Sequence, residues 1–150
     1  MQLEYELGYH ADLKEPLAVG PGPYGMRFVV EVLGGRFEGP RLRGEILTGG
    51  ADWLLAGPDG FGRLDVRAQL VTHDGAALYL SYHGILEMND KVQRALAEAG
   101  GTEYGDQYFR TAPRFETGDP RYAWVNHALF VAKGHLRPGR IVEYEVYRVT

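Results

Sequence analysis

The stretch GRLDVRAQLVT, residues 62–72, alternates without a break. Leu64, Val66, Ala68 and Leu70 form one row, and Arg63, Asp65, Arg67 and Gln69 form the other. Successive side chains of an extended chain point to opposite faces, so this pattern is a strand with one buried side. The next residues, HDG, suit a tight turn, and AALYLSYHGILEM returns as the partner strand. A hairpin with one apolar face needs more structure to cover it. The chain supplies further short segments, punctuated by 21 Gly and 8 Pro among 150 residues. Short segments with many turns favour an all-β architecture.

LEYELGYHADL at residues 3–13 alternates in the same way. MRFVVEVLGGRFEG is a strand broken at Gly34-Gly35, and PRLRGEIL is another. GPGPYG, residues 20–25, reads as a loop, and Trp53 to Leu55 as a short strand between turns. YFRTAPRFET (108–117), AWVNHALFVAKGHL (123–136) and RIVEYEVYRVT (140–150) read as the last strands. Pro113 suggests an edge position or a bulge in the first of these. NDKVQRALAEAGG is the one helical pattern: Asn89 or Asp90 caps it, Val92 and Leu96 share a face, and Gly100-Gly101 stops it. The expected fold is mainly β, a single domain over residues 1–150. It is an antiparallel β-barrel of about eight to ten strands with one short helix at about 90–99. Closure is favoured because it removes exposed strand edges.

Composition narrows the function. The formal net charge is −4 and no basic run occurs, so nucleic acid is not an expected partner. No cysteine is present, which excludes disulfides, thiolate metal sites and cysteine nucleophiles. No segment approaches the ~20 apolar residues of a membrane helix. The first residues lack a secretory pattern, so a cytoplasmic protein without a membrane partner is expected. His10, His73, His83, His127 and His135 lack zinc-motif spacing, and the glycine pairs form neither GxGxxG nor a Walker loop. Ser81, the only serine, has no GxSxG elbow. No metal and no cofactor are expected. The expected partner is a small-molecule ligand or substrate, and edge strands leave room for a homo-oligomer.

Three stretches, GGRFEGPRLRGEILTGGADW, LDVRAQLVTHDGAALYLSYHG and YFRTAPRFETGDPRYAWVNHALFVAKG, together resemble the DUF3237 family, also catalogued as UPF0311. The resemblance covers most of the chain from about Gly34 onward. It implies a single antiparallel β-barrel of the calycin or allene-oxide-cyclase-like sort. It implies little about activity, because the family name records an unknown function.

The candidate site is a polar set carried on several strands. In a small barrel one row of each strand points inward. If the charged rows do so, Asp65, Arg67, Arg110 and Glu116 meet in the lumen. Asp52 or Glu116 then moves a proton, and Arg67 or Arg110 stabilises the oxyanion that develops. Asn126 and Tyr82 orient the substrate, Trp124 and Trp53 form apolar walls, and His83 is a further contact. Such a site fits a cofactor-independent isomerase, cyclase or lyase acting on a small, partly apolar molecule. Three other readings compete with it. The charged rows can be the wet outer face, with Asp52 capping the Gly49-Gly50 turn and Trp53 in the core. The barrel can bind a small ligand without chemistry. It can also be fully packed and serve only as an interaction protein.

Overall fold

A computed structural model describes residues 1–150. The alternating hairpin forms β7 (Phe61–Thr72) and β8 (Ala77–Glu87), paired antiparallel from Phe61↔Glu87 to Val71↔Ala77. Leu64, Val66, Ala68 and Leu70 are all buried, so the apolar row of β7 faces inward as its pattern predicts.

The sheet runs from β8 to β9 (Phe109–Glu116), β10 (Phe130–Arg137), β11 (Ile141–Val149) and β1 (Leu3–Leu13). β1 then pairs with β3 (Gly25–Glu38), and this pairing closes the ring. Between β3 and β7 the wall is built from three short pieces, β4 (Arg43–Ile46), β5 (Gly50–Asp52) and β6 (Leu55–Ala56), end to end. Eleven strand segments thus make an eight-strand closed antiparallel barrel. β2 (Leu17–Gly22) lies outside the ring and pairs only with the start of β3. It takes in part of the stretch read as a loop at residues 20–25.

β9 settles the direction of its charged row. Phe109, Thr111, Pro113 and Phe115 are buried, whereas Arg110, Ala112, Arg114 and Glu116 are exposed. Beyond Thr111 this strand pairs with β8 alone, because its ladder to β10 has only two residue pairs. Pro113 therefore sits where one edge has no partner, a place that tolerates its missing N–H.

α1 (Asp90–Glu98) begins at Asn89, whose side chain accepts the Val92 N–H at 3.0 Å. Its left-handed terminator is Ala99 (φ 54°) rather than one of the two glycines that follow. Of the segment 123–129, read as the start of a strand, residues 123–127 are instead helical and the strand begins only at Phe130. A 3-10 stretch spans Pro120–His127, begun by Asp119 accepting the Arg121 N–H and by a proline in the first turn. It buries Tyr122 and Val125 under one end of the barrel.

The barrel is packed at that end and hollow at the other. Leu7, Phe37, Leu42, Leu70, Leu80, Phe115 and Phe130 fill the lower half with side chains. Above them stand Tyr9, Tyr82 and Tyr144, and beyond these the interior opens into a cavity. Tyr144 fits because its cross-strand partner is Gly134. A Cβ added at Gly134 would lie 2.7 and 2.9 Å from two Tyr144 ring carbons and 3.0 Å from Phe109. Those rings are enclosed and cannot move away freely. Gly134→Ala is therefore expected to destabilise the fold by about 1–3 kcal/mol through overpacking. Urea denaturation measures this, and an unchanged midpoint would show that the wall gives way without cost.

Candidate functional site

The cavity has a volume of about 530 Å³, within the range of small-molecule sites. Val30 and Val32 of β3, Leu64 and Val66 of β7, Phe109 of β9 and Val142 of β11 supply much of its wall. Ala95 and Leu96 of α1 lie over it. A hollow of this size separates the chain from a fully packed barrel.

Asp52 is the only carboxylate that lines it. Local sequence explains how it gets there. Gly49 has φ 108°, in the left-handed region that glycine adopts without strain. A Cβ at Gly50 would come within 2.4 Å of the Arg67 carbonyl, so only glycine lets β5 approach β7 this closely. Asp52 then pairs with Val30 on one side and Val66 on the other, both inward residues. One carboxyl oxygen accepts the Asp65 N–H at 3.0 Å, and the other has no protein partner. Burial pushes the carboxyl up to about 7, and the nearby Asp65 charge adds to this. The Asp65 N–H and the Arg27 charge pull the other way but only partly offset it.

Beside Asp52 lies a group of three enclosed tyrosines. Tyr82 stands opposite Val66, in the same cross-strand row as Asp52. Its hydroxyl donates to the Tyr144 hydroxyl at 3.2 Å. The Tyr9 and Tyr144 rings are 4.8 Å apart, and Tyr82 meets Tyr144 edge-on at 5.5 Å. Tyr82 is beside the Tyr9 hydroxyl, which is buried without a hydrogen-bond partner of good geometry. Burial raises all three phenols well above their ordinary value, and the Asp52 charge adds to this for Tyr82 and Tyr144. They are neutral donors throughout the physiological range. Chemically, the cavity offers an acid that can gain or lose a proton near neutrality, next to neutral hydroxyls, within apolar walls.

Of the expected site residues, Asp52 and Tyr82 meet at the cavity, and the rest do not. Arg110 and Glu116 project outward. Arg110 Nη1 donates to the Phe109 carbonyl, and its guanidinium stacks on Tyr108. Glu116 is six steps of extended chain beyond Arg110, about 20 Å at the usual rise, so they share no pocket. Arg67 also faces outward, over the ring of Trp53 and 4.0 Å from Asp65. Trp53 is 37% exposed and forms no cavity wall. The His83 side chain is 85% exposed, 3.5 Å from Asp65. Asn126 is structural: its amide accepts the Thr117 N–H and donates to the Thr117 carbonyl, both at 2.9 Å. Trp124 lies at the packed end beneath the Arg41 guanidinium. The cause is common to the charged members. Removing a charge from water costs more than one apolar cavity returns, so the charged rows take the wet face.

Tyr9 and Tyr144 are absent from the expected set, yet the alternation carries them. Tyr144 sits between Val142 and Val146, with Glu143 and Glu145 in the opposite row; Tyr9 sits between Leu7 and Ala11. Apolar neighbours two residues away on each side mark both as inward.

No group of three or more His, Asp or Glu side chains is gathered as metal donors, and no helix is long and apolar enough to cross a membrane. The model of the family described as "Protein of unknown function (DUF3237)" matches residues 1–149. A UPF0311 protein of Rhodopseudomonas palustris is 30% identical over 142 residues, 95% of this chain and 93% of that one. Among solved structures, a conserved protein of unknown function from Rhodopseudomonas palustris superposes with a TM-score of 0.90 at 31% identity, covering 100% of this chain and 99% of that one. A protein from Penicillium herquei, described as an enzyme, superposes with a TM-score of 0.71 over 97% of this chain and 93% of its own, and at 19% identity shares the fold alone.

The position of Asp52 makes stability depend on pH. In the unfolded chain an aspartate titrates at about 3.9, and in the fold Asp52 titrates at about 7. Below about pH 4 the group is neutral in both states and has no effect. As pH rises from about 4 to about 7, the unfolded chain releases this proton and the folded chain holds it. Stability therefore falls across that window and levels off above it. The three-unit gap sets an upper figure of about 4 kcal/mol, reduced by whatever water enters the cavity. Asp52→Asn is expected to match wild type near pH 4 and to exceed it by about 1–4 kcal/mol at pH 8 in urea melts. Equal stability at pH 8 would show that Asp52 titrates as an ordinary surface acid.

Proposed function

We propose that this chain, which belongs to the DUF3237 family, is an enzyme that moves a proton on a small, mostly apolar molecule held inside the barrel. The observation that carries the reading is the lone carboxyl of Asp52, raised to about 7 in an apolar cavity. A general acid–base group is most effective when it titrates near the working pH, because both of its forms are then available. The reaction class is isomerase, cyclase or lyase. The unpartnered oxygen of Asp52 removes a proton next to a carbonyl or from a phenol. The neutral hydroxyl of Tyr144, which accepts from Tyr82 and keeps its own hydrogen, is the nearby donor for the negative oxygen that results. Return of the proton to another atom gives an isomer, and loss of a leaving group gives an elimination product. Where the proton came from a phenol, addition of the phenoxide oxygen to the β-carbon of an enone in the same molecule closes a ring, and Asp52 returns the proton to the α-carbon. Arg67 and Arg110 have no part in this scheme, since their side chains lie outside the wall. The Penicillium herquei protein lends support at the level of fold, as a barrel of the same shape described as an enzyme.

The competing reading is a barrel that binds the same kind of molecule without altering it. Deuterium exchange separates the two. The protein is mixed with a panel of enolisable aryl ketones in D₂O, and incorporation at the α-carbon is followed by NMR. Exchange above the buffer rate is expected, rising with pH around an apparent pKa near 7. Asp52→Asn should slow it by about 10²-fold or more while leaving ketone affinity within a factor of two. Arg110→Gln and Glu116→Gln should leave the rate unchanged. If wild type binds the ketones but exchanges them no faster than Asp52→Asn, the chain is a binding protein and the catalytic reading fails.

A further inference from the structure

We propose that the molecule taken into the barrel is an amphiphilic carboxylic acid, whose carboxylate is held at the mouth of the cavity by Arg140 while its apolar body reaches down to Asp52. This rests on the reading of the cavity as a binding site and names the class of compound that it takes.

The charges around the cavity are distributed against the balance of the chain. The whole sequence carries 20 acidic and 16 basic side chains. The cavity lining carries three cations, Lys14, Arg137 and Arg140, and no acid except Asp52. The three cations belong to one end of the barrel. Lys14 follows the end of β1, Arg137 ends β10, and Arg140 precedes β11. Asp52 lies deeper, level with Val66 and Tyr82. An apolar shaft with cations at its open end and one acid at its floor matches a ligand with an anionic head and an apolar body.

Among the three, Arg140 is the cation left for a ligand. Lys14 lies 3.4 Å from Glu31, and Arg137 lies 3.0 Å from Glu143. Arg140 pairs with no carboxylate. Its one side-chain bond runs from Nη1 to the Leu96 carbonyl at 3.3 Å, which leaves most of the five guanidinium N–H groups unused. A guanidinium presents these in a planar fork that fits a carboxylate.

The backbone fixes this residue in an unfavourable conformation. Arg140 has φ 61°, one of two non-glycine residues in the chain with positive φ. Its carbonyl accepts the Leu13 N–H at 2.8 Å, and the preceding Gly139 N–H donates to the Ala99 carbonyl at 2.9 Å. The turn is therefore tied to the end of β1 and to the end of α1. A long charged side chain held at a position suited to glycine or asparagine points to a use for that side chain. From Arg140 to Tyr144, at the floor, four residues of strand rise about 13 Å. That distance suits an acid with an apolar body of about two fused rings.

Two naphthalene ligands and a fluorescent reporter test this. The neutral dye N-phenyl-1-naphthylamine reports on the apolar cavity alone. 1-Naphthaleneacetic acid, ionised at pH 7.5, and its methyl ester are then compared as displacers. An apolar pocket without an anion site would prefer the ester. The expected result is that the acid displaces the dye at a concentration at least tenfold lower. Arg140→Asn, which suits the positive φ, should weaken the acid by about tenfold and leave the ester and the dye within twofold. Arg140→Lys should restore part of the preference. If wild type binds the acid no better than the ester, the inference is wrong and the cavity reading stands. If Arg140→Asn weakens all three ligands alike, Arg140 only secures α1 and the inference is again wrong. If neither dye nor displacers bind, the cavity reading falls and this inference with it.

Discussion

Pairing of β1 with β3 is the interaction on which the rest depends. It turns a curled sheet into a ring, and along the wall the backbone polar groups then find partners in neighbouring strands. An open sheet must bury its apolar face by folding over onto itself or by adding another layer. A closed one can leave part of its interior empty, because the wall is held by its own hydrogen bonds. The lower half, filled by Leu7, Phe37, Leu70 and Phe115, supplies the packed core, and the upper half is free to be hollow. The three tyrosines mark the boundary between the two.

The parts of this arrangement that could be read from the chain are those governed by a period of two. Leu64 to Leu70 declared their face, and the hairpin register followed. Closure was legible as well, because many short strands without a covering layer leave little alternative. The charged row of β9 was ambiguous for a physical reason. Alternation says that two rows lie on opposite faces but not which face is wet, and Trp124 was expected as an apolar wall beside Arg110 and Glu116. In the fold, Tyr108 and Trp124 are partners for the guanidinium groups of Arg110 and Arg41 on the protein surface. Cation–π stacking thus imitated the composition of a site. The 3-10 segment Pro120–His127 was hidden because its start depends on one capping contact at Asp119, which a strand-like run of apolar residues obscures.

Asp52 and Tyr82 were visible for different reasons. The two glycines before Asp52 signal a close backbone approach, and an acid directly after such a turn is placed beside the neighbouring strand. Tyr82 was noticed among polar neighbours, although its importance comes from the opposite row. What no local pattern could convey was that Tyr9, Tyr82 and Tyr144 converge. They are contributed by three strands that are far apart in sequence, and only the register of a closed ring brings their hydroxyls together. The raised carboxyl of Asp52 has the same origin. Its energetic cost is created by distant apolar walls, and proteins commonly accept such a cost where a group must work.

On its other edge, β1 pairs with the last strand of the barrel. Leu3 of β1 stands opposite Val149 of β11. Of the eleven strands, the last to emerge during synthesis is therefore also the one that completes the wall and delivers Tyr144. Before that moment β1 has only one neighbour, and the cavity beside Asp52 lacks the wall that Val142 and Tyr144 supply. Contacts that span almost the whole chain make for slow, all-or-nothing assembly. The apolar surface that later lines the cavity is left uncovered during that interval, when the growing chain is most exposed to wrong partners.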